Sequence, residues 1–318
     1  MQVVYVAGGA GFIGSHLCRE LLKQEHQVVC IDNFLTSSKK NIQEFLDNPS
    51  FQFVQADVIE ALPENLPNPD FIFHLASPAS PNIKSPRSYM AFPLQTLLVN
   101  SHGTYNLLEL AKKSHARFLY ASTSEIYGDP HVSPQPEDYF GNVSPNGPRS
   151  VYDEAKRFGE AITMHYYRKD GLDTRIVRIF NTYGPYMQID DGRVVSNFIV
   201  EAIQNKPLTV YGDGSQTRSF CYISDMVQGL IQYMFEEKAM GEVINIGNPD
   251  EYTILEFAKK IQHLTGSSSH IVHETLPVDD PKQRKPDITK AKHLLLWQPT
   301  VTLDEGLKKT IEYFKTIV

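Results

Sequence analysis

Short β-branched runs alternate with amphipathic stretches through the first two-thirds of the chain. Apolar runs bounded by polar turns read as strands buried on both faces. They predict strands at Val3–Ala7, Gln27–Ile31, Phe51–Gln55, Phe71–Leu75, Phe118–Ala121 and Thr174–Arg178. Helical periodicity predicts helices over Ile13–Lys23, Leu94–Lys113 and Val151–Lys169. In the second of these, Leu97, Leu98, Leu107, Leu108 and Ala111 make up the expected buried face, while Tyr105, Tyr166 and Tyr167 read as packing residues. Strands separated by helices imply βαβ units, hence an α/β fold with a doubly wound parallel sheet of the Rossmann type. After Ile179 the texture turns to Gly, Pro, Asp and Tyr, so a smaller, interleaved region is expected over 179–318 beside a first domain of 1–178. The segment 242–247, EVINIG, still has the look of a strand and is expected to return to the main sheet.

Composition narrows the function classes. The chain has 318 residues, with 30 Lys and Arg against 37 Asp and Glu, a net charge of −7. That balance disfavours a nucleic-acid partner. Cys18, Cys30 and Cys221 are scattered without metal-ligand spacing, so neither a disulfide framework nor a metal site is expected, and a reducing compartment fits. A strand-like run starts within two residues of Met1, and no apolar stretch reaches the roughly 18 residues of a membrane span. A cytoplasmic protein without a membrane partner is expected. The clusters KKSHAR and KQRK read as solvated faces.

Residues 8–14, GGAGFIG, place Gly8, Gly11 and Gly14 between a strand and a helix. Glycines there permit a tight turn and close approach of a pyrophosphate to the helix N-terminus. Asp32 ends the second strand, where an acid accepts bonds from ribose hydroxyls and repels a 2′-phosphate; Asn33 and Phe34 supply no arginine. NAD is therefore expected over NADP, and 1–178 is read as its domain. Asp57 either bonds the adenine edge or is an exposed loop acid.

Tyr152 and Lys156, at i and i+4, share one helix face, and a lysine ammonium beside a phenol favours phenolate. With sixteen tyrosines in the chain such a spacing also arises by chance. The segment ASTSEIYG, Ala121–Gly128, gives it weight, because hydroxyls and a carboxylate at a strand C-terminus lie where open parallel sheets bind ligands. His74 lacks an acid or a second His at useful spacing and reads as structural.

GGAGFIG and Tyr-x-x-x-Lys with its upstream hydroxyl resemble the extended short-chain dehydrogenase/reductases of the NAD-dependent epimerase/dehydratase family. Within it, the chain looks like the UDP-glucuronate decarboxylases. The matching segments are HLASPASP from His74, STSEIYGDP from Ser122, YDEAKR from Tyr152, RIFNTYGPYM from Arg178, DGRVVSNFI from Asp191, YGDGSQTRSF from Tyr211 and RKPDITKAK from Arg284. The resemblance implies that Thr123 bonds the sugar C4 oxygen, Tyr152 is the base, and Lys156 lowers its pKa and holds the nicotinamide ribose. It sets Glu125, where related 4-epimerases usually carry a small residue, and Arg218 as further catalytic residues. Glu125 either disfavours the charge of the sugar carboxylate or, if protonated, donates a hydrogen bond. Arg218 serves the enolate, the phosphates or only a salt bridge.

The same resemblance implies cofactor contacts at Gly8, Gly11, Phe12, Ile13, Gly14, Asp32, Asn33, Asp57, Val58, Leu75, Tyr152 and Lys156. It implies substrate contacts at Tyr89, Thr123, Ser124, Arg149, Asn181, Arg193, Tyr211, Arg218 and Arg284, within a region over 179–318 that mainly binds the nucleotide sugar. Tyr89 is otherwise a loop aromatic. The loop from Pro81 to Tyr89 is longer than the usual decarboxylase spacing, and Ala155 stands where a glycine is common. The implied reaction is conversion of UDP-glucuronate to UDP-xylose by C4 oxidation, loss of carbon dioxide and re-reduction, in a homodimer paired through the two long helices. The alternatives are 4-epimerisation, 4,6-dehydration, release of a 4-keto pentose, or NAD binding without catalysis.

Overall fold

Apolar side chains buried on both faces join the predicted runs into one parallel sheet. The computed structural model describes residues 1–277 and 280–318. In the first half lie β1 (Val3–Ala7), α1 (Phe12–Lys23), β2 (Gln27–Asp32), β3 (Phe51–Gln55), β4 (Phe71–His74), α2 (Pro93–Leu98), α3 (Thr104–Ser114) and β5 (Arg117–Thr123). They continue with α4 (Ser150–Asp170) and β6 (Thr174–Ile179). Later elements are β7 (Thr182–Tyr183), α5 (Val194–Ile203), β8 (Leu208–Tyr211), β9 (Thr217–Ser219), β10 (Cys221–Tyr222), α6 (Ile223–Phe235) and β11 (Val243–Ile246). The chain closes with β12 (Glu251–Thr253), α7 (Ile254–Thr265), β13 (Ile271–Glu274), β14 (Gln283–Arg284), α8 (Thr289–Leu295) and α9 (Leu303–Lys315).

The seven-stranded sheet runs β11-β6-β5-β4-β1-β2-β3, and every pair is parallel. Its order reverses between β1 and β4, the crevice where doubly wound folds bind dinucleotides. Two apolar layers cover the sheet. One contains Leu107, Leu108 and Ala111 of α3, and the other Leu17 and Leu21 of α1 with Met226 and Leu230 of α6. β11 pairs with β6 through Val243–Ile246, so the chain after Ile179 contributes a strand and a helix to the main unit. The remaining strands form small sheets, β12-β9-β14, β13-β8 and β10-β7, beyond the C-terminal end of the large one.

The expected single helix over Leu94–Lys113 is broken. A π-helical turn at Val99–Gly103 separates α2 from α3 and shifts the side-chain phase. Thr96, Asn100 and Thr104 are buried in consequence, with Asn100 donating to Ser77 Oγ at 2.9 Å and to the Thr96 carbonyl at 2.8 Å. Leu97, Leu98 and Tyr105, read from the sequence as inward-facing, are exposed instead.

Candidate active site

The Gly8–Gly14 loop leads from β1 into α1. Gly8 sits at φ +81°, and a Cβ on Gly14 would meet the Gly8 carbonyl oxygen at 2.1 Å, so the turn closes only without side chains. Gly11 is the N-cap of α1 and offers no capping side chain, which leaves first-turn amides open toward the cleft. Asp32, at the end of β2, is buried. Its carboxylate accepts from the Ala10 amide at 3.0 Å, the Phe34 amide at 2.9 Å and Ser37 Oγ at 2.6 Å. Burial pushes its pKa up, and these hydrogen bonds pull the other way. Asn33 donates to Asp57 at 2.8 Å. Asp32, Asn33, Asp57 and Val58 line a small hollow that shares Gly8, Gly11 and Leu75 with a cleft of about 1020 Å³. Phe12, Ile13 and Gly14 line the cleft itself.

At the other end of the cleft, Thr123, Tyr152 and Lys156 converge. Thr123 ends β5, its Oγ1 accepting from the Glu125 amide at 3.2 Å; it pulls the Tyr152 phenol down, but burial holds that phenol above its ordinary pKa. Lys156 Nζ donates to the Ala121 carbonyl at 2.7 Å and lies 5.8 Å from the centre of the Tyr152 ring. Burial draws the Lys156 ammonium down to about 7, against the opposing pull of Glu160. The expected lowering of Tyr152 by its lysine is therefore outweighed here by desolvation of the phenol. Tyr89 is wholly buried and stacked flat on Tyr152, with no hydrogen-bond partner for its hydroxyl among the described residues. It packs outside the cleft lining.

A charged cluster forms the wall beyond the triad. Glu125 Oε2 accepts from Arg149 Nη2 at 2.5 Å, and Oε1 from Arg284 Nη1 at 2.9 Å. Arg284 also donates to Ser124 Oγ at 3.0 Å and to the Gly128 carbonyl at 3.0 Å. Asp280 bridges Arg149 at 3.1 Å and Arg218 at 2.9 Å. Burial opposes ionisation of Glu125, yet Arg149 and Arg284 outweigh it and hold the carboxyl at about 2. The expectation of a protonated, donating Glu125 fails for that reason. The reading of KQRK as a solvated face fails too, since Arg284 within it is buried behind Glu125.

Asn181, Arg193, Tyr211 and Arg218 line the cleft with Arg149 and Ser124. Arg193 is paired with Asp191 at 2.8 Å. Sequence reasoning missed Asp280, and it missed the loop residues Lys84 and Arg87, which also line the cleft. Lys84 bonds Glu274 at 3.0 Å, while Arg87 joins Asp190 at 2.7 Å to the Thr36 carbonyl at 2.9 Å. Their basic residue types in the 81–89 loop were the one sequence signal that could have drawn attention to them. His74 is buried against Thr104 Oγ1 at 3.1 Å, away from the cleft lining.

Residues 4–247 match the NAD dependent epimerase/dehydratase family. UDP-glucuronic acid decarboxylase 1 of Danio rerio is 50% identical over 311 residues, covering 98% of this chain and 72% of that protein. UDP-glucuronic acid decarboxylase 3 of Arabidopsis thaliana is 50% identical over 313 residues, covering 98% of this chain and 89% of that one. Among solved structures, UDP-glucuronic acid 4-epimerase from Bacillus cereus, in complex with UDP-glucuronic acid and NAD, superimposes with a TM-score of 0.87. It is 32% identical, over 99% of this chain and 100% of that one. UDP-glucose 4-epimerase from Thermotoga maritima, with UDP-glucose, gives a TM-score of 0.88 at 30% identity, over 99% of both chains.

Proposed function

The chain belongs to the NAD dependent epimerase/dehydratase family, and from that premise we propose that it decarboxylates UDP-glucuronate to UDP-xylose with NAD retained throughout. The residues present suit the cofactor. The uncapped N-terminus of α1 can receive a pyrophosphate, and Asp32 Oδ2, with one amide partner, has room for a ribose hydroxyl. Lys156, beside Tyr152, is placed to hold the second ribose. The chemistry that a bound nicotinamide supplies is reversible acceptance of the hydride from the sugar's C4.

Tyr152 can take the proton of the C4 hydroxyl only as phenolate, a form that burial opposes and the neighbouring Lys156 ammonium favours, and the Thr123 hydroxyl orients that oxygen. The resulting ketone lies β to the C6 carboxylate, so cleavage of the C5–C6 bond releases carbon dioxide and leaves its electron pair as an enolate. Arg218 stabilises developing negative charge, on the sugar or on the diphosphate. Protonation at C5 and restoration of the C4 hydroxyl, with Tyr152 returning its proton, complete a redox-neutral cycle. The ionised Glu125 takes up the charge of Arg149 and Arg284, so these arginines are less free to hold the sugar carboxylate ionised against its departure as neutral carbon dioxide.

The Glu125 carboxylate, pinned by Arg149 and Arg284 beside the triad, is the observation that carries decarboxylation. Incubation of the purified protein with UDP-glucuronate, following carbon dioxide and the sugar nucleotide by NMR, tests it. Carbon dioxide and a UDP-pentose with a C4 hydroxyl are expected. A C4 epimer that keeps its carboxylate, as for the Bacillus cereus epimerase, overturns the reading; a 4-keto pentose with accumulating NADH removes only the final reduction.

We further infer a homodimer through α2, α3 and α4. Leu94 is 60% exposed and Phe158 51%, and with Leu97, Leu98 and Tyr105 they leave apolar surface on these helices. Light scattering that finds only monomer at micromolar concentration would contradict this. No helix of the described residues is long and apolar enough to cross a membrane. Three free, buried cysteines suit a reducing location, and the cytoplasm is the proposed one.

A further inference from the structure

Two successive residues at the end of β5 are each held by a side chain from α4, and the next, Thr123, lines the cleft with Tyr152. Lys156 Nζ donates to the Ala121 carbonyl, and Ser122 Oγ donates to Glu160 Oε1 at 2.6 Å. Tyr152, Lys156 and Glu160 follow at i, i+4 and i+8, so they form one line along the helix. Glu160 has a second anchor. Arg178 Nε donates to its Oε1 at 2.9 Å and Nη2 to its Oε2 at 2.8 Å, a bidentate pair. Arg178 is the β6 partner of Ser122 in the ladder, so neighbouring strands present both side chains to one carboxylate. Arg178 continues to Tyr127 at 2.9 Å and to the Glu137 carbonyl at 2.7 Å. Glu160 itself does not line the cleft.

We propose that Glu160 is a positioning residue for the reaction, its carboxylate tying the α4 face that carries Tyr152 and Lys156 to the end of β5 through Ser122 and Arg178, and placing a negative charge one helix turn from Lys156. The inference rests on Tyr152 and Lys156 being the working pair. Other groups around Lys156 do not replace that charge. His74 from β4 is kept neutral by burial, with a pKa lowered to about 3. The Tyr120 ring of β5 lies 5.0 Å from Nζ, and burial raises the pKa of both the Tyr120 and the Tyr152 phenols. Glu160 is the group that opposes the desolvation of Lys156. Removing its charge lowers the pH at which Lys156 loses its proton, so activity that needs the ammonium fails earlier as pH rises.

The test compares wild type with Glu160→Gln, both carrying ¹³C-lysine, with the Lys156 Cε resonance identified by its loss in Lys156→Met. The NMR midpoint of Lys156 should be lower in Glu160→Gln. The alkaline limb of the kcat profile should move in the same direction, with KM for UDP-glucuronate little changed. Glu160→Asp, which keeps the charge, should return the midpoint toward wild type. Glutamine leaves Arg178 without its counter-charge, so Glu160→Gln/Arg178→Met serves if the single variant does not fold; the Arg178 charge leaves as well, so its midpoint should lie below wild type by less than in the single variant. A wild-type Lys156 midpoint in a folded protein lacking the Glu160 carboxylate overturns the proposal. The NMR titration needs no turnover, so absence of decarboxylation by wild type would remove the proposed function while leaving this result readable.

Discussion

The ring of Tyr89 lies 4.8 Å from that of Tyr152, centre to centre, with only 5° between their planes. The proposed base thus rests on a second tyrosine that is itself fully buried. Stacking of this kind restricts the phenol to one orientation toward Thr123. Tyr89→Ala should cost about 3–5 kcal/mol through the cavity it opens and should lower kcat through the freed Tyr152 ring. Tyr89→Phe removes only a hydroxyl without a partner among the described residues, so stability should hold or rise slightly. Chemical denaturation and turnover assays on the two variants separate these outcomes.

Tyr152→Phe keeps the packing on Tyr89 and removes the proton acceptor. Formation of NADH from bound cofactor should fall by about 10²–10⁴-fold, while NAD affinity stays near wild type. Stopped-flow absorbance with UDP-glucuronate, alongside calorimetric titration of NAD, measures both. Normal NADH formation in this variant would exclude Tyr152 as the base.

Cofactor choice should depend on Asp32. Its buried carboxylate stands where a 2′-phosphate would have to fit, so NAD should bind much more tightly than NADP. In Asp32→Ala the gap should narrow, mainly through weaker NAD binding. Titration calorimetry with each cofactor reads the difference, and equal affinities in wild type would remove the role of Asp32.

Asp153, next to the proposed base, gives a pH-dependent stability. Burial, with Glu125 adding to it, drives its carboxyl up to about 8 against the pull of Arg149 and Arg284, and Oδ1 has no partner among the described residues. A carboxyl with a raised folded-state pKa binds its proton more tightly in the folded protein. It therefore costs stability progressively as pH rises from its ordinary 3.8 toward about 8. Asp153→Asn escapes that cost. The Tm of the variant relative to wild type should increase across this window and level off above it. A difference independent of pH would show that Asp153 does not titrate there.

The parallel strands were legible because each is a short apolar run bounded by polar turns, and the glycine loop because its spacing is local. Two helices after Ile179 carried a local signal that the sequence reading did not use, Thr253 with Glu256 and Thr302 with Glu305. Both pairs form reciprocal capping boxes at the starts of α7 and α9. Helical periodicity did not reveal the π turn at Val99–Gly103, because one extra residue in a turn shifts the phase without changing residue types. That shift sends Leu97 and Leu98 outward and Asn100 inward.

Tyr152 and Lys156 could be paired from sequence because the helix repeat places them on one face, and the hydroxyls at the end of β5 joined them through the rule that parallel sheets bind ligands beyond strand C-termini and through the family resemblance. The state of Glu125 was decided only by tertiary structure. Its carboxylate is ionised because Arg284, 159 residues away in the chain, closes on one oxygen while Arg149 holds the other. A local pattern specifies periodicity and turns, but the field at a buried carboxylate is the sum of charges that folding brings together from distant segments.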